Sequence, residues 1–240
     1  MTALLHYSIQ LHDERTGAAI LASGGTVTVC LSGDAAKETL YTKTGGSASN
    51  PVSLTNGKLE FWVDADTVSV DLYGIGPNGE AIIMTGVRPG GDAALYLSKS
   101  LLQVYKLPFA IGDTTATTET DTGHDLVTGS LVHGVGLGIR ATTADSGITI
   151  NVGTKTSESG DPDGFMAGLS VASAVSVKPT LTNGSATLGA LLKVQDSANA
   201  GDAVPEAHVV VSTARSLTYT LSSGADTAEG FILLPVTLPA

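Results

Sequence analysis

Three carboxylates in the second half of the chain come nearest to a metal-binding motif. Glu158, Asp161 and Asp163 lie within a polar segment, residues 153–164. Carboxylate oxygens suit Ca²⁺, but the spacing lacks the regular oxygen positions and the final bidentate glutamate of an EF-hand. The order Asp-Pro-Asp-Gly at 161–164 is also typical of a tight turn. We therefore predict a turn with no metal requirement, and a calcium site is the alternative.

Other side chains that could do chemistry are scattered along the chain. Glu119, Asp121 and Asp125 form a second acidic group, which we also expect to be structural. Cys30 is the only cysteine, which excludes an intramolecular disulfide, and its alternating run at 26–31 predicts a packed strand thiol. The five histidines have no metal-ligand spacing and are predicted to be structural or surface residues: His6, His12, His124, His133 and His208.

Glycine alternates with apolar residues at Gly134, Gly136 and Gly138, which superficially resembles a nucleotide-binding fingerprint. No helix pattern follows it, so we predict a strand with glycine on one whole face. Such a face admits the close approach of a loop or of another subunit. The three glycines are therefore the candidate subunit-interface residues.

Motifs of known enzyme classes are missing from the sequence. His-Glu-x-x-His, Cys-x-x-Cys and Gly-x-Ser-x-Gly do not occur. Paired carboxylates for glycoside cleavage are brought together only in space, but a sugar site usually also needs aromatic platforms, and the chain has one Trp and six Tyr. We predict that the chain is not an enzyme, with no catalytic residues and no cofactor.

The composition predicts an all-β protein. Ser and Thr together number 52, Gly numbers 29, and charged residues make up only 15%, which suits tightly turned β structure. A net charge of −11 opposes binding to phosphates, so we expect no nucleic-acid partner. No apolar run approaches the roughly 20 residues that span a bilayer, and the first residues lack a signal-type core, so we expect no membrane association.

Period-two alternation of apolar residues predicts two β domains, with a boundary at residue 110. In residues 1–110, several alternating runs and the pairs Asn56-Gly57 and Asn78-Gly79 predict a small antiparallel sandwich with tight hairpins. Trp62 is out of phase with the core side of its run and is predicted to lie under a neighbouring loop. Asp92 is placed to cap a short helix over residues 93–96.

Residues 111–240 begin with a Thr-rich loop or linker at 112–123 and predict a second, jelly-roll-like sandwich of about eight strands. Its segments resemble, in texture and order, structural proteins of tailed-phage virions, chiefly of the capsid decoration (cement or head-fibre) type. The segments that carry the resemblance are 121–126, 157–172, 187–192, 204–210, 216–220 and 228–236. The first domain looks like the small β anchor or spacer domains of phage fibres and head proteins.

The resemblance implies a function in the virion. We expect a capsid decoration protein, made in the host cytoplasm, that binds the major capsid protein on the outer surface of the head and stabilises the capsid lattice. It implies a homo-oligomer, with a trimer favoured. A tail-fibre or receptor-binding module, and a carbohydrate-binding domain, are the alternatives.

Overall fold

The computed structural model describes the chain as two compact units, Met1–Ser100 (unit 1) and Leu101–Ala240 (unit 2). The described residues are 3–89, 92–97, 102–109, 118–145, 147–172, 176–179, 187–195, 203–205, 207–209, 213–222 and 228–239. Their regular structure is β except for two short 3-10 helices, Thr156–Glu158 and Ala190–Leu192, which confirms the predicted all-β class. No helix among them has the length and apolarity to cross a membrane.

Unit 1 is a sandwich of two sheets. Its strands are β1 Leu4–Asp13, β2 Thr26–Leu31, β3 Leu40–Tyr41, β4 Ser47–Ala48, β5 Val52–Ser53, β6 Lys58–Asp64, β7 Val70–Ile75, β8 Ala81–Val87 and β9 Asp92–Leu97. One sheet has the order β4-β3-β6-β1-β9 and the other β5-β2-β7-β8. The predicted alternation places Tyr7, Ile9 and Phe61 from the first sheet against Val29 and Leu72 from the second, in one buried core.

Two local predictions in unit 1 have different outcomes. The hairpin turns are confirmed, since Asn56, Gly57 and Gly79 take the positive φ angles that Asn and Gly favour. The helix predicted after Asp92 is wrong, because residues 92–97 form β9, which pairs in parallel with β1. Leu95 and Leu97 alternate toward the core there, and that burial outweighs the helical preference of the Ala-Ala-Leu segment.

Unit 2 contains the remaining strands. They are β10 Leu102–Phe109, β11 Thr120–Leu126, β12 Leu131–His133, β13 Gly138–Thr143, β14 Thr149–Thr154, β15 Met166–Ser170, β16 Ser176–Val177, β17 Lys193–Gln195, β18 Ala203–Pro205, β19 Ala207–Val209, β20 Arg215–Leu221 and β21 Glu229–Thr237. One sheet has the order β16-β13-β21-β12-β19 with β10 on the other edge of β21, a second has the order β11-β20-β14-β15, and β17 pairs with β18.

The two larger sheets of unit 2 meet through a buried core. Phe109 of β10 contacts Tyr219 of β20 with ring centroids 6.1 Å apart, and both side chains are almost fully buried. This arrangement is consistent with the predicted sandwich, and the jelly-roll order stays a prediction. Because β10 pairs along its whole length with β21, it belongs to unit 2, whereas the predicted boundary at residue 110 assigned it to the first domain.

Candidate assembly surface

The glycine-alternating segment is a bulge and not a continuous strand. β12 and β13 lie on the same edge of β21, where Val132 pairs with Val236 and Gly138 with Leu233. Residues 134–137 leave the ladder between them, opposite Pro235. A proline within a central strand removes a ladder donor and is tolerated mainly at bulges, which gives the interruption its physical reason. The prediction that Gly134, Gly136 and Gly138 form one strand face is therefore wrong.

The glycines still allow close approach, but to the chain itself. A Cβ atom on Gly138 would lie 2.7 Å from the carbonyl oxygen of Val177 in β16. Gly136 has a φ of +88° and faces the ring of Pro235, so it serves the bulge. Gly134 lies half-buried in the same bulge. That these residues form a subunit interface stays a prediction.

The two acidic groups lie close together, and three of their carboxylates form hydrogen bonds that hold the loop at 155–163. Both carboxylate oxygens of Glu158 accept hydrogen bonds from Ser216, from its amide and its hydroxyl, each at 2.8 Å. Asp121 accepts a hydrogen bond from Lys155 Nζ at 2.6 Å, and Glu119 accepts one from the amide of Thr156 at 2.9 Å. Asp125 is exposed on β11. In the part of the chain that the structure describes, no three His, Cys, Asp or Glu side chains are placed to hold a metal ion.

The predicted turn is present at residues 161–164, where the Gly164 amide donates to the Asp161 carbonyl. The neighbouring charges act on one another. Burial and the nearby Asp163 raise the pKa of Asp161, whereas the hydrogen bond and charge of Asp121 raise the pKa of Lys155. The loop at 155–163 therefore carries a fixed, mainly negative surface on the outer side of the β11-β20-β14-β15 sheet.

The cysteine and the histidines lie apart from one another in the described residues. Cys30 is buried, as predicted, and its thiol donates to the Ala35 carbonyl at 3.4 Å. His124 is also buried, and the His133 ring lies 2.7 Å from the Thr237 hydroxyl. His12 contacts the Gly17 carbonyl, and His6 stacks on Trp62. The side chain of His208 lies outside the described part.

An exposed apolar strand face, which the sequence analysis did not find, lies on β10. Gln103, Tyr105 and Leu107 are buried, but Leu102 is 57% exposed and Val104 is 45% exposed. Within the described residues β10 pairs only with β21. Lys106 and Pro108 stand in the second half of this strand, and both lysine and proline discourage pairing with a further strand. Its first half has neither residue.

The same face continues across the sheet. Val104 lies opposite Pro235, and Lys106 lies opposite Leu233. Lys106 Nζ sits 3.9 Å from the centroid of the Phe231 ring, a cation–π contact. Pro235 and Phe231 are themselves buried. We call the exposed and half-buried part of this surface the outer β10 face, made of Leu102, Val104, Lys106, Leu131, Val135, Arg140 and Leu233.

The outer β10 face combines apolar side chains with two cations. Val135, 77% exposed at the bulge, extends the apolar area beyond β21, and Arg140 is also exposed. Glu229 lies at one end of β21 and brings a carboxylate to the margin. The unbroken apolar run at 231–236 is typical of a strand that is buried on both faces, and five of its six residues are buried.

No family model, curated protein or solved structure matches the chain.

Proposed function

We propose that this chain is a capsid decoration protein of a tailed-phage virion, which adheres to the outer surface of the head through the outer β10 face of unit 2. The observation that carries the proposal is the exposure of the apolar side chains of Leu102 and Val104 on β10. Exposed apolar side chains that lie together favour association, because a partner that covers them removes apolar area from water.

The two outer sides of unit 2 differ in polarity and charge, which suits a protein that binds a surface through one side only. The outer β10 face is apolar with Lys106 and Arg140, whereas the loop at 155–163 and the strand beside it present Asp121, Asp161 and Asp163. A protein that coats a shell needs one side that loses water on binding and another that stays hydrated. In this proposal the outer β10 face contacts the major capsid protein, and the acidic side faces solvent.

Stabilisation of the head follows from mass action. A site divided between neighbouring capsid subunits exists only in the assembled lattice, so binding lowers the free energy of the closed shell relative to its separate subunits. We also propose that the protein acts as a homo-oligomer, with a trimer favoured. Several copies that bind together gain avidity on a repeating lattice.

The test uses heads of the encoding phage that have been stripped of this protein. Val104→Lys places a charge among the apolar side chains of this face and is expected to weaken binding to these heads about tenfold or more. Val68→Lys is the matched control, because Val68 is 73% exposed but lies in unit 1. Binding of the unchanged protein should depend only modestly on salt, since the contact is mainly apolar.

Two outcomes contradict the proposal. Equal binding of the Val104→Lys and Val68→Lys proteins would remove the outer β10 face from the contact. Failure to bind heads, with recovery of the protein on tails, would favour the tail-fibre alternative.

A further inference from the structure

The only tryptophan of the chain lies on the outer side of the first sheet of unit 1, away from the core. Trp62 is half-buried on β6, between Tyr41 of β3 and His6 of β1, to which it is paired in register. His6 stacks on the indole with ring centroids 4.7 Å apart and an interplanar angle of 16°. The three aromatic side chains thus form a row across three neighbouring strands.

This row leaves part of the indole accessible. His6 covers one face of the ring, and Trp62 is still partly exposed. Tyr41, paired with Trp62 on β3, is also partly exposed. Both aromatic side chains therefore contribute to the surface of the sheet.

Charged and polar groups border the aromatic row at fixed positions. Glu60 lies two residues before Trp62 on β6 and on the same face. One oxygen of its carboxylate lies 2.9 Å from the His6 ring nitrogen and 3.7 Å from Lys58 Nζ. The side chains of Lys58 and Glu60 are each 42% exposed. Ser47 lies opposite Tyr41 on β4 and is exposed. The row is thus bordered by a carboxylate, an ammonium group and a hydroxyl.

We infer that this face of unit 1, made of His6, Tyr41, Ser47, Lys58, Glu60 and Trp62, binds a saccharide. A pyranose ring has an apolar C–H face that suits the indole and phenol rings, and hydroxyls that both donate to a carboxylate and accept from an ammonium group. The core of a protein–protein contact is depleted of charged side chains, whereas here Glu60 is the next residue to Trp62 on the same face of β6 and pairs with Lys58. This combination favours a sugar over a protein surface as the ligand. The inference concerns unit 1 and does not depend on the role proposed for unit 2.

The test combines a printed glycan array with the fluorescence of Trp62, which reports on this face alone because the chain has no other tryptophan. The intact protein is first screened on the array. The oligosaccharide with the strongest signal is then titrated into the protein while the Trp62 emission is followed. We expect saturable binding and a change in this emission.

Variants then assign the binding to the face. Trp62→Ala and Tyr41→Ala are expected to weaken binding, measured by calorimetry, about tenfold or more. Glu60→Gln keeps the fluorescent residue and the shape of the side chain, so it tests the hydrogen-bonding group if Trp62→Ala fails to fold. Val68→Ala, an exposed change elsewhere in unit 1, should bind as the unchanged protein does.

Three results would overturn the inference. They are the absence of binding to any printed saccharide, binding without a change in Trp62 emission, and equal affinity of the Trp62→Ala and unchanged proteins. If no saccharide binds and Trp62→Ala instead abolishes attachment to another virion protein, the aromatic row is a protein contact.

Discussion

Both units use carboxylates to fix a loop against the outer side of a sheet, but unit 1 buries its carboxylate and unit 2 leaves its carboxylates at the surface. Asp71 of unit 1 is only 3% exposed. It accepts hydrogen bonds from the amides of Gly33 and Gly86 and from the hydroxyls of Ser32 and Tyr73. Burial alone would raise the pKa of Asp71, but these donors outweigh it and hold the pKa below the usual 3.8.

The corresponding charged side chains of unit 2 are much more exposed to solvent. The side chains of Lys155 and Asp121 are 35% and 36% exposed, and Glu158 is half-buried. Hydrogen bonds to a buried charge are costly to remove, because the donors are then left without partners or water. Surface ion pairs contribute little and are screened by salt. Similar sets of polar residues should therefore stabilise the two units to different extents.

The largest effect is expected when the chain is divided into fragments that keep or omit β10. Fragments 1–100 and 101–240 should each melt cooperatively, whereas fragment 120–240 should be unfolded. The shorter fragment lacks β10 and so loses the buried side chains of Tyr105, Leu107 and Phe109. Their loss costs about 6 kcal/mol or more, which is comparable to the whole stability of many domains. Circular dichroism melts of the three fragments give the answer. A cooperative melt of fragment 120–240 would show that β10 is dispensable.

The next largest effect is expected at Asp71. Asp71→Ala should destabilise unit 1 by about 2–3 kcal/mol, because four hydrogen bonds to a buried carboxylate are lost, although the donors on Ser32, Gly33 and Gly86 are exposed and can turn to water. Hydrogen exchange measured by mass spectrometry separates the units. Peptides covering residues 27–31 should lose protection, whereas peptides covering residues 150–154 should not change. Equal loss in both units would mean that the two are not independently stable.

The burial of Asp71 is an example of what local sequence patterns could not predict. Alternation placed the core faces of β1 and β6 correctly, because burial of one sheet face is a local pattern, but it did not predict that Leu31 at the end of β2 is 43% exposed. It gave no sign that the other face of β7 is also buried, since the residues that cover it, 32–37, are distant in the chain. The same limit applies to Gly134, Gly136 and Gly138, whose bulge depends on Pro235 about 100 residues later. The exposure of Leu102 was not predicted, because the pairing of strands in space, and not the local sequence, decides which side chains are covered.

Acid should affect the two units in opposite directions. The folded-state pKa of Asp71 is lowered, so its contribution is present above the unfolded-state pKa and is lost as the pH falls through the folded one. The pKa of Asp161 is raised, so its contribution is present below the unfolded-state pKa and is lost as the pH rises through the folded one.

Asp161→Asn should therefore stabilise unit 2 at neutral pH by about 0.5 kcal/mol, since it removes a partly buried charge and its unfavourable interaction with Asp163. This gain should vanish in acid, where the carboxyl group of the unchanged protein is already protonated. Thermal melts of fragment 101–240 across the titration range measure it, and Asp125→Asn, an exposed change on β11, is the control. A gain that persists at low pH would point to a cause other than charge.

The smallest effect is expected at Lys155, and it completes the contrast with Asp71. Its short hydrogen bond to Asp121 raises the pKa of Lys155 and keeps it charged, but the pair lies at the surface and the loop keeps the bonds from Ser216 to Glu158 and from Thr156 to Glu119. Lys155→Met should therefore lower the melting temperature of unit 2 only slightly, and not at all in about 1 M salt, where charges are screened within about 3 Å. Lys58→Met, which breaks the looser 3.7 Å pair with Glu60 in unit 1, should have no measurable effect. If Lys155→Met were as damaging as Asp71→Ala, the burial of a carboxylate would not be what separates the two units.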